Sequence, residues 1–124
     1  MNIIYSPKAP AAFGPYVQGV QLGSLIFTSG QLGIDPAVGK LREGVEAQAK
    51  QSLENLKAIL AEAGCVMEDV VKATVFVKDL ADFAKVNAIY QEAFGESFPA
   101  RSCVQVAALP MGGLVEIEVI AYKH

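Results

Sequence analysis

Hydrophobic positions change their spacing several times along the chain, and each change marks an element. Val17-Gln18-Gly19-Val20-Gln21-Leu22 partly alternates, Gly23-Ser24 supplies a turn, and Leu25-Ile26-Phe27-Thr28-Ser29 follows as a second apolar run. That pattern predicts a β-hairpin. Asp35-Pro36-Ala37-Val38-Gly39 is turn chemistry and predicts a loop. From Gly44 to Ala63 the period becomes helical, with Val45, Ala49, Ser52, Leu53, Leu56, Ile59, Leu60 and Ala63 recurring on one side. Glu43 and Glu46 suit the positive N-terminal end of such a helix, and Gly64 is its stop. Val70 to Val77 is a β-branched run. Asp79 then caps a second helix whose buried stripe is Phe83, Val86, Tyr90 and Phe94, ended by Gly95 and Pro99.

Two more strands close the chain, Ala100 to Ala107 and Leu114 to Tyr122, joined by Pro110-Met111-Gly112-Gly113. The short connection predicts that they pair antiparallel. The order ββαβαββ implies an α+β sandwich, one sheet with both helices on one face. Nothing divides the chain, so residues 1–124 are expected to form a single domain. The period of two sorts the last strand into Val115, Ile117, Val119 and Ala121 on one face and Glu116, Glu118, Ile120 and Tyr122 on the other. On the strand before it, Ser102, Val104 and Val106 share one face, and Arg101, Cys103 and Gln105 the other. With the apolar sets under the helices, Arg101, Cys103, Gln105, Glu116 and Glu118 are all expected on the helix-free face.

Composition adds one thing to this picture. A hydrophobic fraction of 52% and a mean hydropathy of +0.35 are high for 124 residues, yet no apolar run approaches the roughly 18–20 residues of a membrane helix. The outlet expected for the excess is a subunit interface. The net charge is −3 and the pI about 5.1, with no basic stripe, which argues against a nucleic-acid partner. Met1-Asn2-Ile3-Ile4 does not open a signal peptide. Two cysteines make no disulfide framework, so the cytoplasm is the expected compartment.

Charge and residue type narrow the chemistry. The single histidine, His124, is the last residue. No Cys-His or Ser-His pair and no His-based metal site is available, and no metal or cofactor is expected. Arg101, stiffened by Pro99-Ala100, offers a planar fork that takes a carboxylate through two hydrogen bonds; the plainer reading is a salt bridge to Glu116 or Glu118. Glu116 is the attractive general base, with Glu118 its decoy and a solvated carboxylate the plainer alternative. Cys103 has no adjacent base and reads better as a small pocket residue than as a nucleophile. Ser29-Gly30 ends a strand, where glycine lets backbone approach a ligand, or is an ordinary terminus. Tyr16 either covers a pocket or packs on the core. Asn87 interrupts the apolar stripe and needs partners, for which a structural role is sufficient.

Pro99-Ala100-Arg101-Ser102-Cys103-Val104, Leu109-Pro110 and Val115-Glu116-Ile117 resemble the signature of the RidA/YjgF family. Ala9-Pro10-Ala11, Gly14 to Gly19, Thr28-Ser29-Gly30-Gln31, Gln48-Ala49, Ser52-Leu53 with Asn55-Leu56, and Val75 to Leu80 match in order, so the resemblance spans nearly the full length. It implies a chorismate-mutase-like fold with one mixed sheet, and a homotrimer with sites between subunits. It implies hydrolytic deamination of 2-enamine/2-imine acids such as 2-aminoacrylate/2-iminopropanoate and 2-iminobutanoate to 2-oxo acids and ammonia. Arg101 matches the carboxylate-binding arginine and Glu116 the glutamate that orients water. Cys103, Ser29 and Gly30 match backbone contacts, Tyr16 the residue closing the cleft, and Asn87 a nearby helix position. Departures are a shorter Phe94–Phe98 segment, Gln105 in place of an acidic residue, and the uncharged Met111-Gly112-Gly113 turn; these bear on rim shape and substrate range. Two other readings attach to the family: a non-enzymatic module that binds or senses 2-oxo acids, and a ribonuclease or translation inhibitor, which the acidic charge disfavours.

Overall fold

The computed structural model describes residues 1–124. The elements run β1 (Asn2–Ile4), β2 (Gly19–Leu22), β3 (Leu25–Thr28), β4 (Gln31–Leu32), β5 (Ile34–Asp35), β6 (Lys40–Leu41), α1 (Val45–Glu62), β7 (Val70–Val77), α2 (Phe83–Phe94), β8 (Ala100–Gln105) and β9 (Val115–Tyr122). Seven strands form one sheet in the order β1-β2-β3-β9-β7-β8, with β4 also paired to β9. Both helices pack on one face of this mixed sheet, an α+β architecture. No helix is long and apolar enough to cross a membrane.

Local chemistry explains most element ends. Gly23 turns the β2–β3 hairpin at φ 60°. Gly64 takes φ 78°, and the Gly64 and Cys65 N–H groups donate back to Ala61 and Leu60 O, at 3.0 and 2.9 Å. That double bond pattern is a Schellman stop. The Asp79 carboxylate accepts from the Ala81 N–H at 2.9 Å and starts a short 3₁₀ turn that leads into α2. Val86, Tyr90 and Phe94 are buried as the spacing predicts, whereas Phe83 stays 38% exposed at the sheet edge.

Three expectations need correction. β8 and β9 do not pair with each other: β7 lies between them, antiparallel to β9 and parallel to β8. The helix α2 carries the chain over the sheet from β7 to β8, and such a crossover delivers a parallel neighbour. The turn signal at Pro110-Met111-Gly112-Gly113 is real, but it ends a longer crossing from one side of β7 to the other. Secondly, an N-terminal strand, β1, extends the hairpin, and the loop after Gly30 contains β4 and the small β5–β6 ladder. The third correction concerns faces. The parallel register sets Arg101 opposite Ala73, Cys103 opposite Val75 and Gln105 opposite Val77. Ala73, Val75 and Val77 are buried beneath the helices. Arg101, Cys103 and Gln105 therefore lie on the helix face, while Glu116 and Glu118 lie on the helix-free face as expected. Apolar content misassigned β8 because its other face, bearing the 45% exposed Val104, belongs to an apolar surface of its own. Ile3, Val20, Phe27 and Ile120 form one row of that surface, and Phe76 and Val104 another. With apolar groups on both sides, alternation carries no sign.

Polar residues inside α1 hold the irregular segment 30–34 in place. Ser52 Oγ donates to Gln31 O at 2.6 Å. Asn55 Nδ2 donates to Leu32 and Ile34 O at 3.2 and 3.0 Å. Gln48 accepts from the Leu114 N–H and donates to Arg42 O. All three side chains are buried, and each satisfies main-chain groups of this segment or of the chain beside it. The segment lies so close to α1 that a side chain at Gly33 would collide with the Gln48 backbone. Gly33→Ala should therefore destabilise the protein by about 2 kcal/mol or more, because backbone rather than a flexible side chain must yield. A urea midpoint equal to that of wild type would contradict this packing.

Candidate active site

Two cavities hold the candidate residues, and they lie on different faces of the sheet. The first, about 440 Å³, is lined by Asn87, Tyr90, Gln91, Phe98, Pro99 and Arg101. The second, about 490 Å³, includes Phe13, Tyr16, Ser29, Gly30, Leu32, Pro110, Met111 and Glu116 in its lining. Ser29, Gly30, Tyr16 and Glu116 are thus brought together. Arg101 and Asn87 are brought together elsewhere. The expectation of one face carrying both Arg101 and Glu116 fails within a protomer, for the register reason above.

Arg101 extends from β8 along α2. Its Nη1 donates to Asn87 Oδ1 at 2.6 Å. The guanidinium carbon stands 4.8 Å from the Tyr90 ring centroid and 5.4 Å from that of Phe83. Cation–π contacts of this kind contribute about 0.5–2 kcal/mol each. No carboxylate pairs with Arg101: the chain's ion pairs are Arg42–Asp35 and His124–Asp69. The salt-bridge alternative for Arg101 is therefore not what the structure contains. Asn87 has its partner in Arg101 itself. Cys103 sits two residues along on the same face, packed against the core. Burial pushes its thiol pKa up, and the nearby Arg101 charge offsets this only in part. That is the wrong direction for a nucleophile.

The second cavity forms where the sheet changes partner. β3 leaves β9 after Phe27, and β4 rejoins β9 at Ile117. Between them Thr28 Oγ1 accepts from the Val119 N–H at 3.1 Å. The chain steps outward at Ser29-Gly30. Ser29 Oγ donates to Val17 O at 2.6 Å and so anchors the loop that carries Tyr16. Gln18 reinforces that loop, donating to Ser6 and Pro10 O and accepting from the Ser6 N–H. Glu116 lies over Gly30: a Cβ there would stand 2.8 Å from the Glu116 carboxyl carbon. Glycine is needed at that position by close approach. Across the mouth, Met111 holds a left-handed backbone, φ 60°, costly for a side chain with a Cβ.

Burial raises the Glu116 pKa above the usual carboxylate range, and the Glu118 charge adds to the shift. No basic side chain pairs with it. Two unpaired groups of opposite sign, Arg101 and Glu116, therefore stand in separate recesses. Residues that the sequence reading did not single out as site residues complete both. The stripe spacing puts Phe83 and Tyr90 in the core, although with Asn87 they occupy the i, i+4, i+7 face of one helix, which is the signal the sequence offers for them. Phe13, Phe98, Pro110 and Met111 sit in loops, where no periodicity reports direction.

The architecture and the two recesses define a class: a small α+β protein of chorismate-mutase-like fold with an arginine pocket and a carboxylate pocket at its surface. The chain belongs to the YjgF/RidA family, whose sequence model, described as Endoribonuclease L-PSP, matches residues 6–123. It is 58% identical over 124 residues to the 2-iminobutanoate/2-iminopropanoate deaminase of Salmonella typhimurium, covering 98% of this chain and 97% of that protein. The crystal structure of E. coli TdcF with bound serine superposes with a TM-score of 0.97 at 50% identity, covering 100% of both chains. The 1.2 Å crystal structure of the E. coli YjgF gene product gives a TM-score of 0.97 at 54% identity, again with full coverage of both.

The charge environment of Glu116 yields a signed expectation. A neighbouring negative charge disfavours ionisation, so Glu118→Gln should lower the Glu116 protonation midpoint. The midpoint should remain above that of a solvent-exposed glutamate, because burial is the larger cause and is unchanged. A carbon-detected NMR titration of the Glu116 carboxyl measures this; a midpoint that stays put or rises would remove Glu118 from its surroundings.

Proposed function

We propose that this protein is a hydrolase that converts 2-imino acids, and the 2-enamine acids that tautomerise to them, into 2-oxo acids and ammonia. The carrying observation is Arg101, a cation held at a cavity wall with no carboxylate partner. Its fork suits the α-carboxylate common to 2-iminopropanoate and 2-iminobutanoate. Relatives at 56–58% identity are named as deaminases of those two compounds. The serine bound to TdcF carries the same group.

The site is assembled between subunits. Each protomer presents one arginine recess and one glutamate recess on different faces, so unlike recesses must meet head to tail. Heterologous contacts of that kind close into rings, and a homotrimer gives three equivalent sites. The exposed apolar rows on the helix-free face supply the surface such a ring would bury. Arg101 and Asn87 then come from one subunit, and Tyr16, Ser29, Gly30 and Glu116 from the next. Both cysteines are free, which suits a cytoplasmic setting.

Chemistry follows from those positions. Arg101 grips the carboxylate, and Gly30 lets backbone approach the substrate. Glu116 orients a water and takes its proton as the oxygen attacks the imine carbon. Glu116 returns that proton to the imine nitrogen, giving a neutral carbinolamine. It then takes the hydroxyl proton and passes it to the same nitrogen as the C–N bond breaks, so the carbonyl forms and ammonia leaves. A raised pKa suits Glu116 to both halves of that transfer. Positioning plus one base, about 10²–10⁴ in rate, is sufficient for an imine that already hydrolyses in water. Cys103 lines the arginine side without bond-making. A ribonuclease reading finds no support in a chain of net charge −3.

Arg101→Ala and Glu116→Gln should each abolish most ammonia release from iminopropanoate generated in the assay, with the oligomer intact by light scattering. Mixed together and reassembled, the two inactive variants should recover activity, with about one site in four carrying both native groups after random mixing. Absence of recovery would place both groups in one subunit or remove one from the reaction. Wild-type protein that binds 2-oxobutanoate without turnover would be a sensor rather than an enzyme. Cys103→Ser should retain most turnover; a folded but inactive variant would restore the thiol to the mechanism.

A further inference from the structure

The groups that the chain places against the Arg101 guanidinium are neutral. Phe83, Asn87 and Tyr90 lie on one face of α2, at i, i+4 and i+7. The two rings approach the guanidinium carbon at 5.4 and 4.8 Å, and the Asn87 amide oxygen accepts one N–H at 2.6 Å. Tyr90 is 4% exposed, so its ring forms a buried wall. Its hydroxyl has no hydrogen-bond partner, so it is the ring that meets the cation.

We propose that Phe83, Asn87 and Tyr90 are positioning residues forming a neutral cradle, one that fixes the direction of the Arg101 guanidinium while leaving its charge free for an incoming carboxylate. This rests on the reading of Arg101 as the substrate anchor. An amide oxygen uses one donor of five and leaves the rest of the fork open. Aromatic faces attract a cation through their quadrupole without neutralising it. The buried ring also keeps water from one side of the guanidinium, which strengthens its attraction for an anion on the other. A carboxylate at position 87 would hold the arginine more strongly, and for that reason would compete with the substrate.

That contrast is the test. Asn87→Asp keeps the shape and the hydrogen bond but adds the opposing charge. In the full-length protein, KM for iminopropanoate and Kd for 2-oxobutanoate should both rise about tenfold or more, while kcat changes by less than about threefold, the pattern of lost uniform binding. The melting temperature should equal or exceed that of wild type, because an ion pair has been gained. A merely structural Asn87 would leave KM and Kd unmoved by this isosteric change. Tyr90→Phe should keep both constants within about twofold, whereas Tyr90→Leu should raise them about fivefold or more, since the ring supplies the contact. Should Asn87→Asp not fold, the two Tyr90 variants decide the matter. Unchanged 2-oxobutanoate affinity in Asn87→Asp, or equal losses from Tyr90→Phe and Tyr90→Leu, would overturn the cradle while leaving wild-type turnover as evidence for the deaminase. Wild-type protein with neither turnover nor 2-oxo-acid binding would overturn both.

Discussion

Across the sheet, Arg101, Ala73 and Val119 stand in one row, fixed by parallel hydrogen bonds on one side of β7 and antiparallel bonds on the other. Side chains in a row share a face. Arg101 is thereby committed to the helix side and Glu116 to the opposite side. Glu116 cannot cross without a one-residue slip of β9 that would also turn Val115, Ile117 and Val119 out of the core, and Arg101 is held by the six-residue parallel ladder of β8 on β7. In the proposed reaction, which needs both groups around one small acid, a protomer alone would be incomplete. The apolar helix-free face and the separated recesses have a common resolution in the head-to-tail assembly proposed here.

Neutral polar groups do the positioning throughout, and the two charged groups are left unpaired. Gln48, Ser52 and Asn55 hold segment 30–34 from α1, Gln18 and Ser29 hold the loop that carries Tyr16, and Asn87 holds Arg101. Arg101 meets no carboxylate and Glu116 no cation. A fold optimised for stability alone would not keep a half-buried carboxylate with a raised pKa beside a second acid. The left-handed Met111 at the rim of the same recess is a further cost borne beside the site.

Much of this was legible in the residues. The hairpin, both helices, their glycine stops, the strand at 70–77 and the alternation on β9 followed from short-range rules, because each depends on neighbours within a turn or a pleat. Gln48 and Asn55 stand in the sequence only as positions that match the family pattern; the distant carbonyls and N–H groups they meet give them a purpose. β1 is short, and β4 to β6 are two-residue ladders, too brief for any periodicity to register.

The sequence by itself determined the order of the two helices and the five longest strands, the α+β class, the family resemblance and the list of groups able to do chemistry, since residue type and local spacing are properties of the chain. The tertiary structure decided who neighbours whom. Strand order and the parallel register of β8 arise from a crossover helix and a layer of long-range contacts, which no local pattern encodes when both faces of a strand are apolar. That is why Arg101 and Glu116 could be named from the sequence, while their separation onto opposite faces became visible only in the folded chain.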